Sequence, residues 1–92
     1  MIVRILGDGQ FDVAEADRPA LHRLEEALDA TIEGDDEAAF GAALAAVIAE
    51  VRRVGAPLAA DSFTASDRVL PFDDATLAET KELLAGPGGD DR

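Results

Sequence analysis

The sequence predicts a small α+β domain that consists of an N-terminal β-hairpin, an antiparallel helical hairpin and a third helix near the C-terminus. Two patterns predict this class: short apolar runs flank glycines near the start, and from Asp17 the hydrophobic period becomes helical. The chain has 92 residues, 48% of them hydrophobic, which corresponds to one domain with more apolar surface than a disordered acidic chain. We therefore expect residues 1–85 to form a single domain and residues 86–92 to form a flexible acidic tail.

Two strands are predicted over residues 2–6 and 10–14. The first is almost entirely apolar, which is typical of a strand inside a sheet, and the second alternates polar and apolar residues. Between them, Gly7-Asp8-Gly9 supplies residues that tolerate a positive φ, as a tight reversal requires. The segment lacks the Lys-Ser/Thr of a P-loop and the third glycine of a dinucleotide fingerprint, so we interpret it as a hairpin turn.

The first predicted helix begins near Asp17 or Arg18, has Pro19 in its first turn and ends at Gly34. Its predicted apolar face contains Ala20, Leu21, Leu24, Ala27, Leu28, Thr31 and Ile32. The opposite face, which we expect to be solvated, contains His22, Glu25, Glu26, Asp29 and Glu33.

The second predicted helix is capped by Asp35 or Asp36 and ends at Gly55. Its large apolar residues recur at helical spacing: Phe40, Leu44, Val47, Ile48 and Val51. Because only a few residues around Gly34 link the two helices, they are expected to be antiparallel neighbours whose apolar faces pack on each other and on the sheet.

Residues 56–72 are too irregular for a helix and are predicted to form a connection. Within it, Arg68-Val69-Leu70 is a candidate third strand beside the hairpin, which Pro71 would cut short. The connection also contains several hydroxyl and carboxyl groups, those of Ser62, Thr64, Ser66 and Asp67. No histidine lies near them in sequence and no Gly-x-Ser-x-Gly elbow surrounds them, so we expect no nucleophile there.

A third helix is predicted to begin at Asp73 or Asp74 and to extend over residues 75–85. Thr76-x-x-Glu79 is a candidate capping box at its start. Its predicted apolar contacts are Leu77, Leu83 and Leu84.

The charge balance bears on the kind of partner. The chain has 20 acidic and 8 basic side chains, a formal charge of −12. Nucleic-acid affinity comes mainly from Lys and Arg, and an anionic membrane repels an acidic protein, so we expect a protein partner, no nucleic acid and no direct membrane insertion. With no Cys, no signal-peptide pattern and no apolar run near the ~18 residues of a spanning helix, a soluble cytoplasmic protein is expected.

His22 is the single histidine and lies at helical spacing from Glu25 and Glu26. This spacing favours a solvated ion pair, and a metal ligand is the alternative, although two ligands do not make a site. We expect no catalytic, cofactor-binding or metal site in the chain.

The second predicted helix is apolar on two sides. Nearly opposite its large apolar residues lies a narrow stripe of Ala38, Ala42, Ala45 and Ala49. One interpretation is that alanine is simply the best helix former, or that the sheet packs on this side. The other is a docking stripe for a partner helix, since small side chains permit short interaxial distances.

Four segments in sequence order carry a resemblance to a known family: Met1-Ile2-Val3-Arg4-Ile5-Leu6-Gly7-Asp8-Gly9-Gln10-Phe11, Gly34-Asp35-Asp36-Glu37-Ala38-Ala39-Phe40, Ser66-Asp67-Arg68-Val69-Leu70-Pro71 and Asp74-Ala75-Thr76-Leu77-Ala78-Glu79. Over residues 1 to about 85 the chain resembles the PspA-associated protein family, PspAA. These are small acidic proteins encoded beside phage shock protein A in many GC-rich bacteria and in archaea. The C-terminus departs from the family, whose members commonly continue to a Gly-containing apolar end.

The resemblance implies a non-enzymatic accessory of the phage-shock-type envelope stress response, working with phage shock protein A. That protein coats damaged membrane through long coiled-coil helices, and an accessory would be membrane-peripheral through it. No binding residues transfer from the family, so the candidate partner-binding residues rest on two sequence features, the alanine stripe and the Ser66–Pro71 loop: Ala38, Ala42, Ala45, Ala49, Asp67 and Arg68.

Three hypotheses from different classes remain open. The protein is an adaptor that binds and modulates phage shock protein A, or a self-associating homodimer without direct contact to it, or a small enzyme or ligand-binding domain. An adaptor predicts a complex that salt weakens, a homodimer predicts a dimeric mass, and an enzyme requires a pocket lined by buried acids.

Overall fold

The computed structural model describes residues 1–60 and 64–85, with side chains up to residue 82. Its architecture is the predicted α+β arrangement. In chain order the strands and helices are β1 (Ile2–Ile5), β2 (Gly9–Asp12), a 3-10 turn (Glu15–Asp17), α1 (Arg18–Gly34), α2 (Glu37–Val54), β3 (Ala56–Pro57), β4 (Arg68–Leu70) and α3 (Leu77–Ala85). The predicted flexible tail, residues 86–92, lies outside the described residues.

The strands form one mixed sheet in the order β3-β2-β1-β4. β1 pairs antiparallel with β2 and parallel with β4, so the prediction that the apolar first strand lies inside the sheet is confirmed. The candidate third strand is confirmed as β4, with Leu70 opposite Ile5. β3 was not predicted. It pairs antiparallel with β2 at the edge of the sheet, where the missing N–H of Pro57 removes no hydrogen bond between inner strands.

The turn between β1 and β2 is the predicted one. Gly7 and Gly9 have φ angles of 91° and 109°, which side chains other than glycine rarely adopt. The backbone N–H of Asp8 donates to the carbonyl of Ile5 at 2.9 Å and closes the reversal.

The core lies between one face of the sheet and the α1–α2 hairpin. All the large apolar residues predicted on α2 are buried, as are their partners in the sheet and in α1 and α3: Val3, Ile5, Val13, Leu21, Leu28, Leu70 and Leu77. On α1 the predicted apolar face is too wide, because Ala20 and Ala27 are exposed and only Leu21 and Leu28 are fully buried. Leu83 and Leu84 lie outside the described side chains.

The helix ends follow local capping chemistry. α1 ends at Gly34 as predicted, but the left-handed residue is Asp35, with φ 59°. Asp36 caps α2 by accepting a hydrogen bond from the Ala39 N–H at 3.1 Å. α1 and α2, which these caps separate, pack on each other as the antiparallel helical hairpin that the sequence predicts.

α3 begins later than predicted, at Leu77 instead of near Asp73 or Asp74. The capping box of Thr76 and Glu79 decides its start: the Thr76 N–H donates to the Glu79 carboxylate at 2.9 Å, and the Glu79 N–H donates to the Thr76 hydroxyl at 3.1 Å. Two backbone donors are satisfied reciprocally, which an aspartate further upstream cannot achieve.

Thr64 and Ser66, in the connection between β3 and β4, contact the sheet face that points away from the helices. Gln10 lies on that face, opposite Arg4, and its side-chain amide donates to the Thr64 carbonyl at 2.6 Å and to the Ser66 hydroxyl at 2.8 Å. Gln10 is only 6% exposed as a result.

Candidate partner-binding surface

The side of α2 that faces away from the core carries only small residues. Every exposed residue between Glu37 and Arg52 is alanine or glycine: Ala38, Gly41, Ala42, Ala45, Ala46 and Ala49. We call this set the α2 outer face. At 1.5 Å per residue it extends for about 17 Å along the helix, the length of roughly three turns. The predicted alanine stripe is therefore exposed along its length, and the interpretation that the sheet packs on it is wrong.

Gly41 distinguishes the two remaining interpretations of this face. Alanine is the best helix former, so helix propensity alone accounts for the alanines. A glycine inside a helix destabilises it by about 0.5–1 kcal/mol relative to alanine. A Cβ at Gly41 would meet no atom of the described side chains or neighbouring elements within 4 Å. Nothing in the internal packing of the described residues therefore requires glycine here, whereas close approach of another backbone would.

The charges that flank the α2 outer face are already engaged, either with other elements or within α2. At the start of α2, the Glu37 carboxylate accepts a hydrogen bond from the Leu77 N–H at 3.1 Å. At the end, Arg52 donates to the Asp8 carboxylate at 2.7 Å, and Arg53 donates to Glu50 at 2.8 Å. The hydrogen bonds to Glu50 raise the pKa of the exposed Arg53 guanidinium above its usual value. The face itself is left uncharged between these bound ends.

Asp67, the first of the two charged candidates, joins β4 to the start of β1. Its carboxylate accepts from the Ile2 N–H at 2.8 Å, and its own N–H donates to the Ile2 carbonyl at 2.7 Å. Both hydrogen bonds join β1 to the residue just before β4, at the end of the sheet where these two parallel strands begin. The contacts of Asp67 are thus with β1 and not with α2, so the structure does not bring it together with the alanine stripe.

Arg68, the second charged candidate, extends from β4 to α1. Its guanidinium lies 3.2 Å from the Asp29 carboxylate and 3.7 Å from that of Glu25. Glu25 is only 7% exposed, so its prediction as a solvated residue is wrong. Burial of this carboxylate is tolerated because a cation from the neighbouring strand lies beside it. No local sequence pattern indicates that pair, since α2 and β3 lie between its two partners in the chain.

His22 lies beside the two glutamates that its helical spacing predicts. Its Nε2 is 3.4 Å from the Glu26 carboxylate and its Nδ1 is 3.9 Å from that of Glu25, while the imidazole is 69% exposed. This geometry is that of the solvated contact favoured above. The described residues contain no group of three or more histidine, aspartate or glutamate side chains that could hold a metal ion.

A second surface feature, which the sequence does not predict, lies where β1 and β4 end. A groove of about 420 Å³ is bounded by Leu6, Pro71, Phe72 and Ala75, with Glu79 at its rim. Phe72 is 53% exposed. This groove is separate from the candidate residues named above.

Comparison with known proteins gives a family match. A family model described as PspA-Associated protein matches residues 1–90 of the 92-residue chain. No curated protein and no solved structure matched. Within the described ranges, none of the helices has the length and apolar character needed to cross a membrane.

Proposed function

Because the chain belongs to the family of PspA-associated proteins, we propose that it is a non-enzymatic adaptor that binds phage shock protein A and modulates its assembly. The family is a PspA-associated accessory family and is not a known enzyme family. A net charge of −12 disfavours direct binding to an anionic membrane. The protein would therefore act in the cytoplasm and reach the envelope through its partner.

The observation that carries this proposal is the α2 outer face. A solvent-facing side of a helix ordinarily carries charged and polar residues. Here about three turns carry none, and Gly41 lowers helix stability without an internal packing reason. Both features are those of a helix on which a second helix packs closely. Long partner helices, such as those of a coiled coil, provide a surface of the right shape.

Charge supplies the second part of the proposed interaction. The face is uncharged, but the exposed surroundings are acidic, including Glu33, Asp35 and Glu37 at the α1–α2 junction. Complementary basic groups on the partner would accelerate association and fix the orientation of the docked helix, while the apolar face would supply the contact. Added salt would then weaken the complex, because these charges are exposed and screened.

Size-exclusion chromatography with light scattering tests the proposal directly. The protein is run alone and mixed with the phage shock protein A of the same organism, at low and at high salt. A shared peak that weakens at high salt is the expected result. Two unshifted peaks at both salt concentrations would remove direct binding, and a dimeric mass for the protein alone would favour self-association in its place.

A further inference from the structure

The groove beside Phe72 points to a second binding surface. We propose that this groove binds an apolar side chain of a cationic partner segment. The proposal does not depend on the α2 outer face or on phage shock protein A, since it rests on different residues and a different chemistry. It names the occupant by that chemistry: a leucine-like side chain flanked by lysine or arginine.

Phe72 is held in place but left uncovered. A Cβ at Gly7 would lie 3.0 Å from two ring atoms of Phe72, so the ring packs directly against the turn between β1 and β2. The ring is nevertheless 53% exposed and is not part of the buried core. Among the described residues, Val69 is the other exposed large hydrophobic side chain, at 38%. A preorganised and exposed aromatic ring loses little conformational entropy when a partner covers it.

The backbone role of Phe72 does not explain its aromatic side chain. The backbone carbonyl of Phe72 accepts from the Ala75 N–H at 3.0 Å and shapes the approach to α3, a role that any residue could fill. The ring adds its surface to a groove that Leu6, Pro71 and Ala75 also line. Contiguous apolar surface around one exposed aromatic is typical of the anchor point of an interface.

The rim of the groove carries uncompensated negative charge. Asp74 and Glu79 line it, and Asp74 makes no ion pair within the described part of the chain. The cations nearby are already bound: Arg52 pairs with Asp8 and lies 3.8 Å from Asp73, and Lys81 lies 2.6 Å from Asp35. An anionic apolar segment would be repelled here, whereas a cationic one would be attracted and oriented.

Two designed peptides test the groove with the protein as it is. One is an amphipathic peptide of leucine and lysine, and the other carries glutamate at every lysine position. Titration followed by amide chemical shifts should show the lysine peptide perturbing Leu6, Phe72 and Ala75, with the glutamate peptide inactive. No binding of the lysine peptide, or perturbation only elsewhere, would overturn the proposal.

Variants distinguish binding of the peptide in the groove from its attraction to the acidic protein as a whole. Phe72→Ala should weaken the lysine peptide by at least about tenfold, as loss of an aromatic anchor does, while Val69→Ala should leave its affinity unchanged. Asp74→Lys should weaken it by about threefold or more, whereas Glu33→Lys, the same charge change on exposed α1, should have less effect. Asp74 is exposed and unpaired, so this variant tests the site even if Phe72→Ala fails to fold. Equal losses in Asp74→Lys and Glu33→Lys, with an unaffected Phe72→Ala, would overturn it.

Discussion

The two apolar sides of α2 differ in the size of their residues and in what covers them. One side carries a phenylalanine and large aliphatic residues, all at 0% or 1% exposure against the sheet and α1. The other carries alanine and glycine and faces solvent along about three turns. The first side supplies volume to fill a core, and the second offers close access to the helix backbone. The fold explains the first side completely, and the second is the surface that we propose binds a partner.

The largest effect on stability is expected on the covered side. Leu44→Ala should lower the free energy of unfolding by about 2–5 kcal/mol, because Leu44 is fully buried and its loss leaves a cavity. Urea denaturation followed by circular dichroism measures this. Ala42→Ser, two residues earlier on the outer face, is the matched control and should change stability by less than about 0.5 kcal/mol.

Similar losses in Leu44→Ala and Ala42→Ser would break the contrast between the two sides. If Leu44→Ala does not fold, Ile48→Val serves in its place. That variant removes one buried methyl group and should cost about 0.5–1.5 kcal/mol.

A smaller effect on stability is expected at α1, which carries the buried charged residue Glu25 and exposed charged residues such as Arg23. Arg68→Ala should lower the free energy of unfolding by about 1–3 kcal/mol, since it leaves the buried Glu25 carboxylate without its cation. Arg23→Ala, on the exposed side of α1, should be close to neutral. In the double variant Arg68→Ala/Glu25→Gln the two losses should not add, because both residues belong to one interaction. Full additivity would show that the pair does not interact.

Gly41→Ala reverses the sign of the stability effect. It should raise the free energy of unfolding by about 0.5–1 kcal/mol, because alanine favours the helix and the added methyl group meets no neighbour. The same change should weaken binding of phage shock protein A, since it thickens the surface that a partner helix approaches. A variant that is more stable and binds equally well would show that the glycine does not serve close approach.

The smallest stability effect belongs to the double variant Ala42→Glu/Ala45→Glu. Both positions are exposed and glutamate is a good helix former, so the free energy of unfolding should change by less than about 0.5 kcal/mol. A loss of several kcal/mol in thermal or urea unfolding would mean that this side of α2 is packed against the rest of the chain.

These contrasts also show what local sequence information can predict. The hairpin turn, the helix ends and the capping box depend on residues within a few positions of each other, and Gly7, Asp36 and Thr76 each act as their types predict. The periodicity of α2 predicts both of its sides. Periodicity does not say which side of a doubly apolar helix is covered, because that depends on where the sheet lies.

Several features that the sequence did not predict join distant parts of the chain. The pairing of Arg68 with Glu25, the contacts of Gln10 with the β3–β4 connection and the position of Phe72 on Gly7 arise only when β4 lies beside β1. Asp67 is predicted to bind a partner because it lies in the Ser66–Pro71 loop. The structure instead shows it hydrogen-bonded to Ile2. Its role toward a partner stays a prediction.

Whether the α2 outer face binds phage shock protein A is best tested by measuring the affinity of that partner for two matched double variants. Ala42→Glu/Ala45→Glu places two charges on the α2 outer face, and Ala27→Glu/Ala30→Glu places the same charges at the same spacing on the exposed side of α1. The α2 variant should lose at least about tenfold in affinity, while the α1 variant should bind like the unchanged protein. Equal affinities of the two variants would mean that the α2 outer face does not bind phage shock protein A.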